Sequence, residues 1–299
     1  MSAPAVTRRQ APAAGRSELL RALGALCERP SPEHRRIAAS LGLPLPSGEE
    51  HTATFVLECP PYASVYLGPD GMLGGEATDR VAGFWRALGC EPPTEPDHLA
   101  SILALLAALG ELEAGEAPGS SRRARIARAR EVLLVEHLWS WVPVFLVAVR
   151  EAGSPPYRRW ARLVGAALAM PAGGASARRA RASAHLPLAL RAAPAVAEEG
   201  VDDVARLATV AIRSGMVLTR RRLASGAGRL GLAARVGERR FALEALLAAD
   251  RRATLAWLAR EAGRWERLHR AAPQPHAGIR AFWQGRARAT AALLARLAP

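Results

Sequence analysis

The chain has 299 residues, half of them hydrophobic, which is room for one large domain or two ordinary ones and argues against disorder. The apolar set is dominated by Ala and Leu, with few β-branched or aromatic runs, so the expected class is all-α and a large sheet is disfavoured. The net charge is +14 and all 41 basic residues are Arg, which suits a nucleic-acid or membrane-surface partner but equally a solvated Arg-rich surface fed by GC-rich coding.

Residues 1–16 are Ala/Pro/Arg-rich and read as a loose tail. Ser17 opens a helix to about Glu28, and Ser31-Pro32-Glu33 starts a second, with Pro at the first helical position. Gly42 to Gly48 is a loop, and a helix from about Glu49 stops before Pro60-Pro61. Tyr62 to Leu67 leads into the turn Gly68-Pro69-Asp70-Gly71. From Glu76 to Leu88, Val81, Trp85 and Leu88 keep helical spacing and Gly89 ends the run. Asp97 is the expected N-cap of a helix from His98 to about Glu113. An Arg-rich helix follows, about Arg122 to Trp139, and Pro143 restarts the chain as a helix ending at Gly153. Another runs from Pro155-Pro156 to about Met170.

The stretch 171–200, rich in Ala, Pro, Gly and Arg, reads as a linker. Helices are then expected near Asp202–Arg213, Thr219–Leu230, Glu238–Arg260 with a break near Asp250, Glu261–His269 and Ala277–Leu297. The expected organisation is a tail (1–16), a helical domain (17–170), a linker (171–200) and a C-terminal helical extension (201–299). The longest apolar stretch, Leu133 to Val149, contains Glu136, His137 and Pro143, so it reads as a buried helix pair rather than a membrane span. Arg8-Arg9 has no apolar run behind it, so no signal peptide is expected, and three Cys without a CxxC pair suit a reducing cytoplasm.

Charge is distributed unevenly. From Glu58 to Ser120, ten acids meet two arginines, Arg80 and Arg86, a balance of −8. The other residues carry 39 Arg against 17 acids, or +22. The acidic block also holds Tyr62, Tyr66, Phe84 and Trp85, so it is the candidate surface for a cationic peptide. If residues 62–66 are helical, Tyr62 and Tyr66 share a face. Ordinary core packing is the competing reading for all four aromatics.

Pro96-Asp97-His98 is the sharpest polar group. A carboxylate beside a His at a helix start can orient a ligand or do acid–base work; the plainer reading is a helix cap with a solvated His. The seven His form no HExxH or comparable pattern, so no metal or cofactor is expected. There is no P-loop, no strand–GxGxxG–helix context and no GxSxG elbow, and the chain reads as a non-enzyme. Arg220-Arg221-Arg222, Arg239-Arg240 and Arg251-Arg252 can contact phosphates, but each lies in an amphipathic helix and reads first as a solvated face.

In order, Pro60-Pro61-Tyr62-Ala63-Ser64-Val65-Tyr66-Leu67, Gly75-Glu76-Ala77-Thr78, Phe84-Trp85-Arg86-Ala87-Leu88-Gly89 and Glu95-Pro96-Asp97-His98-Leu99 resemble the TorD/DmsD/NarJ family of cytoplasmic chaperones for redox enzymes. Glu136-His137-Leu138, Trp141-Val142-Pro143 and Phe145 resemble a later motif of that family, and Pro156-Tyr157-Arg158 its following helix start. The resemblance spans about residues 17–170. Residues 51–55 depart from it, and the C-terminal hundred residues extend past the usual core.

The resemblance implies an all-α, TorD-like bundle that binds the twin-arginine signal peptide, or the apo form, of a molybdenum-cofactor oxidoreductase until cofactor insertion. It would act as a monomer or homodimer, without stable membrane insertion. A twin-arginine peptide carries two cations and an apolar stretch, so its receptor should offer acids beside an apolar groove. The candidate peptide-binding residues are Tyr62, Tyr66, Glu76, Trp85, Glu95, Pro96, Asp97 and His98. The competing readings are an Arg-rich α-helical nucleic-acid-binding protein and an enzyme built on Asp97 and His98.

Overall fold

The computed structural model describes residues 11–169, 185–196, 203–274 and 276–298. Among these the regular structure is helical, as expected, with one isolated antiparallel bridge between Tyr62 and His98. The helices are α1 (Ala11–Ala25), α2 (Pro32–Ser40), α3 (Gly48–His51), α4 (Ala63–Leu67), α5 (Glu76–Ala87), α6 (Leu99–Gly115), α7 (Ser121–Val132), α8 (Val142–Ala152) and α9 (Pro155–Ala169). Then come α10 (Leu188–Arg191), α11 (Val204–Thr209), α12 (Ala211–Ser214), α13 (Arg220–Leu230), α14 (Arg239–Ala249), α15 (Arg251–Ala271) and α16 (Ala277–Leu297).

Helix starts follow their caps. Ser47 accepts the Glu50 amide, Ser120 that of Arg123, Thr219 that of Arg222 and Asp250 that of Ala253, each satisfying an orphan N–H of a first turn. Asp250 marks the break expected within the 238–260 stretch, but no second break occurs at residue 260: α15 runs unbroken from Arg251 to Ala271. The tail ends earlier than expected, since Ala11–Arg16 already lies in α1. Most of the expected linker lies outside the described residues; within it, α10 buries Ala189 and Leu190.

Two stretches are π-helical, Thr52–Glu58 after α3 and Leu133–Trp139 after α7. Their wider turn shifts the following side chains around the helix, so Phe55, Leu134, Leu138 and Trp139 all point inward. Pro143 sits at the start of α8, where its missing N–H costs nothing. No single described helix is long and apolar enough to cross a membrane; α7 with its π continuation and α8 form a bent apolar pair, and the side chains from Val142 to Val149 are buried in this fold.

The core is built around aromatic residues. Tyr66 stacks on Trp141 at 5.5 Å between centroids, and Phe55 meets Tyr157 and Trp160 edge-on at 4.5 and 5.3 Å. The Trp160 indole donates to the Leu23 carbonyl at 2.9 Å, locking α9 to α1. A second group, Trp265, His269 and Trp283, lies in the α15–α16 hairpin. The two groups share one core: the Trp283 indole donates to the Ser140 carbonyl at 3.0 Å, and Arg264 joins Glu151 of α8 to Glu261 of α15. Gly215, with φ +74°, lets α12 end against α16, where a Cβ would lie 2.9 Å from the Trp283 carbonyl oxygen.

Candidate functional site

The segment Pro60–Leu99 folds back on itself. Pro61 and Tyr62 run extended beside Asp97–Leu99: the Leu99 amide donates to the Pro61 carbonyl at 2.9 Å and the Ala63 amide to the Asp97 carbonyl at 3.1 Å. Asp97 is 3% exposed, and its carboxylate accepts the Ser64 amide at 3.0 Å. Asp97 is therefore not the N-cap of α6, as the sequence suggested. It caps α4 instead, 33 residues away, where the first-turn amides point at it.

The cap of α6 is His98, whose Nδ1 accepts the Ala100 amide at 3.3 Å. That bond leaves the proton on Nε2. The imidazole is buried rather than solvated, and burial pushes its pKa down against the opposing pull of Glu95 and Asp97, so it is neutral at pH 7. Asp97 and His98 thus form a structural clasp, each accepting a backbone amide at a helix start.

Tyr62 completes the clasp on its solvent side. Its ring meets His98 edge-on at 4.8 Å, and its hydroxyl donates to Glu95 Oε1 at 2.8 Å. Burial, then the Glu95 hydrogen bond, raises the phenol pKa, so it stays a donor. Tyr62, Glu95, Pro96, Asp97 and His98 therefore converge, with Glu95 exposed and Pro96 buried. Tyr66 does not join them. Tyr62 is extended, so the two do not share a helical face, and Tyr66 is 1% exposed in the core, out of reach of a peptide unless that core opens.

Helix α5 supplies the neighbouring surface. Glu76, at its exposed start, pairs with Arg80 at 2.6 Å. Phe84 packs on His137 at 4.9 Å, whose pKa burial pushes down to about 4. Trp85 is half-buried on the last turns, and its indole N–H has no acceptor among the described residues. The seam between α4, α5 and His137 encloses only about 20 Å³, so a peptide would have to lie across this surface rather than enter it.

Sequence reasoning missed Met72 and Leu73, 66% and 62% exposed just before α5. Their signal was available: an apolar pair in Gly71-Met72-Leu73-Gly74-Gly75 has no neighbours with which to form a core stripe. Sequence reasoning also overstated the acidity of this region. Asp70 pairs with Arg206 at 2.6 Å, Glu111 with Arg21 at 2.5 Å and Glu116 with Arg122 at 3.1 Å, while Glu113 binds Arg130. Glu58 accepts the Arg221 amide at 2.9 Å. Among the described residues only Asp79, Glu91 and Glu95 of the ten acids lack both an arginine partner and a backbone amide.

Residues 45–147 match the model of the family described as the nitrate reductase delta subunit, the NarJ/TorD-type chaperone domain. The match spans every piece of the resemblance except Pro156-Tyr157-Arg158, including the whole clasp and α5. A delta-type domain supports a part in the maturation of a molybdenum enzyme. No curated protein matches the chain.

Proposed function

We propose that this protein is a cytoplasmic chaperone that binds the twin-arginine signal peptide, the apo form, or both, of a molybdenum-cofactor oxidoreductase, and holds it until the cofactor is inserted and export follows. The observation that carries this reading is the family match, which covers the clasp and α5 together. Around them lie the chemical elements that such a peptide requires. Glu91 and Glu95, free of arginine partners among the described residues, offer carboxylates to two guanidinium groups. Trp85, half-buried on the last turns of α5, offers a ring face to a guanidinium group. Met72 and Leu73, beside Glu76 and Asp79, offer exposed apolar surface to the stretch behind the arginines.

Asp97 and His98 act here as positioning residues: they fix Tyr62 and, through it, Glu95. Binding of this kind needs no bond-breaking chemistry, and the protein works as a non-enzymatic partner. Titration with the client's signal peptide tests the reading. Saturable binding that is lost when both peptide arginines become alanine supports it. Failure of both the signal peptide and the apoenzyme to bind at micromolar protein overturns it.

A further inference from the structure

Outside the matched family span, helices α13 and α14 and the loop 232–237 enclose a cavity of about 290 Å³. Its floor is Leu223, Ala227, Ala242 and Leu246. The volume lies near the lower edge of the range for ligand sites, with room for one or two large apolar side chains. Val236 of the lining is 98% exposed, and the apolar surface continues past the cavity to Phe241, which lies against Gly237 and is 52% exposed.

The rim is cationic. Arg220, Arg221 and Arg235 line it, and none has an ion-pair partner among the described residues. Nearby arginines are already engaged: Arg222 with Glu261, and Arg240 with Glu244 and Asp203, both at 2.8 Å. Of the acids next to this rim, Glu58 already accepts the Arg221 amide and Glu238 precedes the first turn of α14. These two carboxylates answer the two helix starts at this end, which leaves the three rim guanidinium groups as the unmatched charge among the described residues.

We propose that this groove docks an acidic amphipathic segment of a partner protein, with an apolar side chain in the cavity and flanking carboxylates on Arg220, Arg221 and Arg235. A concave apolar floor favours a peptide over a nucleic acid, which needs no such cavity, and over a bilayer, which meets convex apolar surface. The site would repel a twin-arginine peptide, so it is independent of the reading given above.

The test is fluorescence anisotropy on the full chain with a labelled helical peptide carrying leucines at i, i+3 and i+4 and glutamates beside them. Saturable, salt-sensitive binding is expected, weakened about tenfold or more by Arg235→Glu in the loop and by Ala224→Trp at the exposed rim. Circular dichroism and signal-peptide binding should be unchanged in both variants, which separates this failure from failure of the chaperone reading. Equal binding of the same peptide with lysine for glutamate overturns the proposal. So does unchanged affinity in both variants. Selective binding of duplex DNA or of phosphatidylglycerol vesicles, with no peptide binding, also overturns it.

Discussion

The clasp region and the C-terminal helices reverse the charge pattern that their sequences suggest. By composition the first is the acidic block and the second an ordinary Arg-rich surface. In the fold, the acids of the first are largely met by arginines or amides, many from distant elements, and keep only a few free carboxylates around α5 and the loop after it. In the second, Arg220, Arg221 and Arg235 have no ion-pair partner among the described residues and stand over an apolar groove. Charge counted along a chain therefore predicts a surface only when opposite charges stay apart after folding, and here residues more than a hundred positions apart meet.

The sharpest way to break this comparison is to ask whether the two regions are separable at all. Trp283→Ala deletes a fully buried indole that joins them and is expected to cost about 3–5 kcal/mol. Urea unfolding should show one transition moved as a whole; two transitions, with only the later one moved, would divide the molecule.

Next comes acid stability. His137 in one region and His269 in the other have their pKa values pushed down to about 4, chiefly by burial, from an ordinary value of 6.5. Folded, both stay neutral as the pH falls, while the unfolded chain takes up protons below about 6.5. Stability is therefore full above that pH and declines toward about pH 4, by on the order of 3 kcal/mol per histidine. His137→Gln should flatten the fall in Tm between those limits, and an unchanged slope would remove this histidine from the account.

Asp97→Ala leaves the Ser64 amide buried without an acceptor and should cost about 1–3 kcal/mol, read as a lower Tm. Asp97→Asn keeps an acceptor and should cost less. If Asp97→Ala weakens signal-peptide binding at unchanged Tm, Asp97 contacts the peptide rather than the clasp.

The smallest effect separates free from compensated acids. Glu95→Gln keeps an acceptor for Tyr62 but loses the charge, and should weaken signal-peptide binding by about threefold. Glu111→Gln, whose carboxylate already faces Arg21, should leave binding as it was. Equal losses in both would mean that the long-range field of the acidic block attracts the peptide, not individual carboxylates.

What the sequence disclosed followed from local physics. Pro32, Glu76, Gly89 and Asp250 punctuate helices through effects within one turn, and their elements fall where the pattern put them, to within a residue or two. The aromatic positions were legible as apolar, but not their depth: Tyr62 and Tyr66 carry the same side chain four residues apart, and only one is in the core. Asp97 was misassigned because capping preference is a local rule, while the helix it caps lies across a chain reversal. The π-helical turns were hidden for a related reason. Nothing in Thr52–Glu58 or Leu133–Trp139 opposes an ordinary α-helix, and the wider turn is chosen by what the side chains must meet inside.

The bond from the Trp283 indole to the Ser140 carbonyl spans 143 residues, and this has a consequence for timing. A chain emerges from the ribosome N-terminal end first. The clasp and α5 can assemble early, but the core around Ser140 lacks its final cover until residues 277–297 have followed. The helix Ala277–Leu297 therefore closes a core laid down long before it, and its late arrival sets when that core becomes rigid.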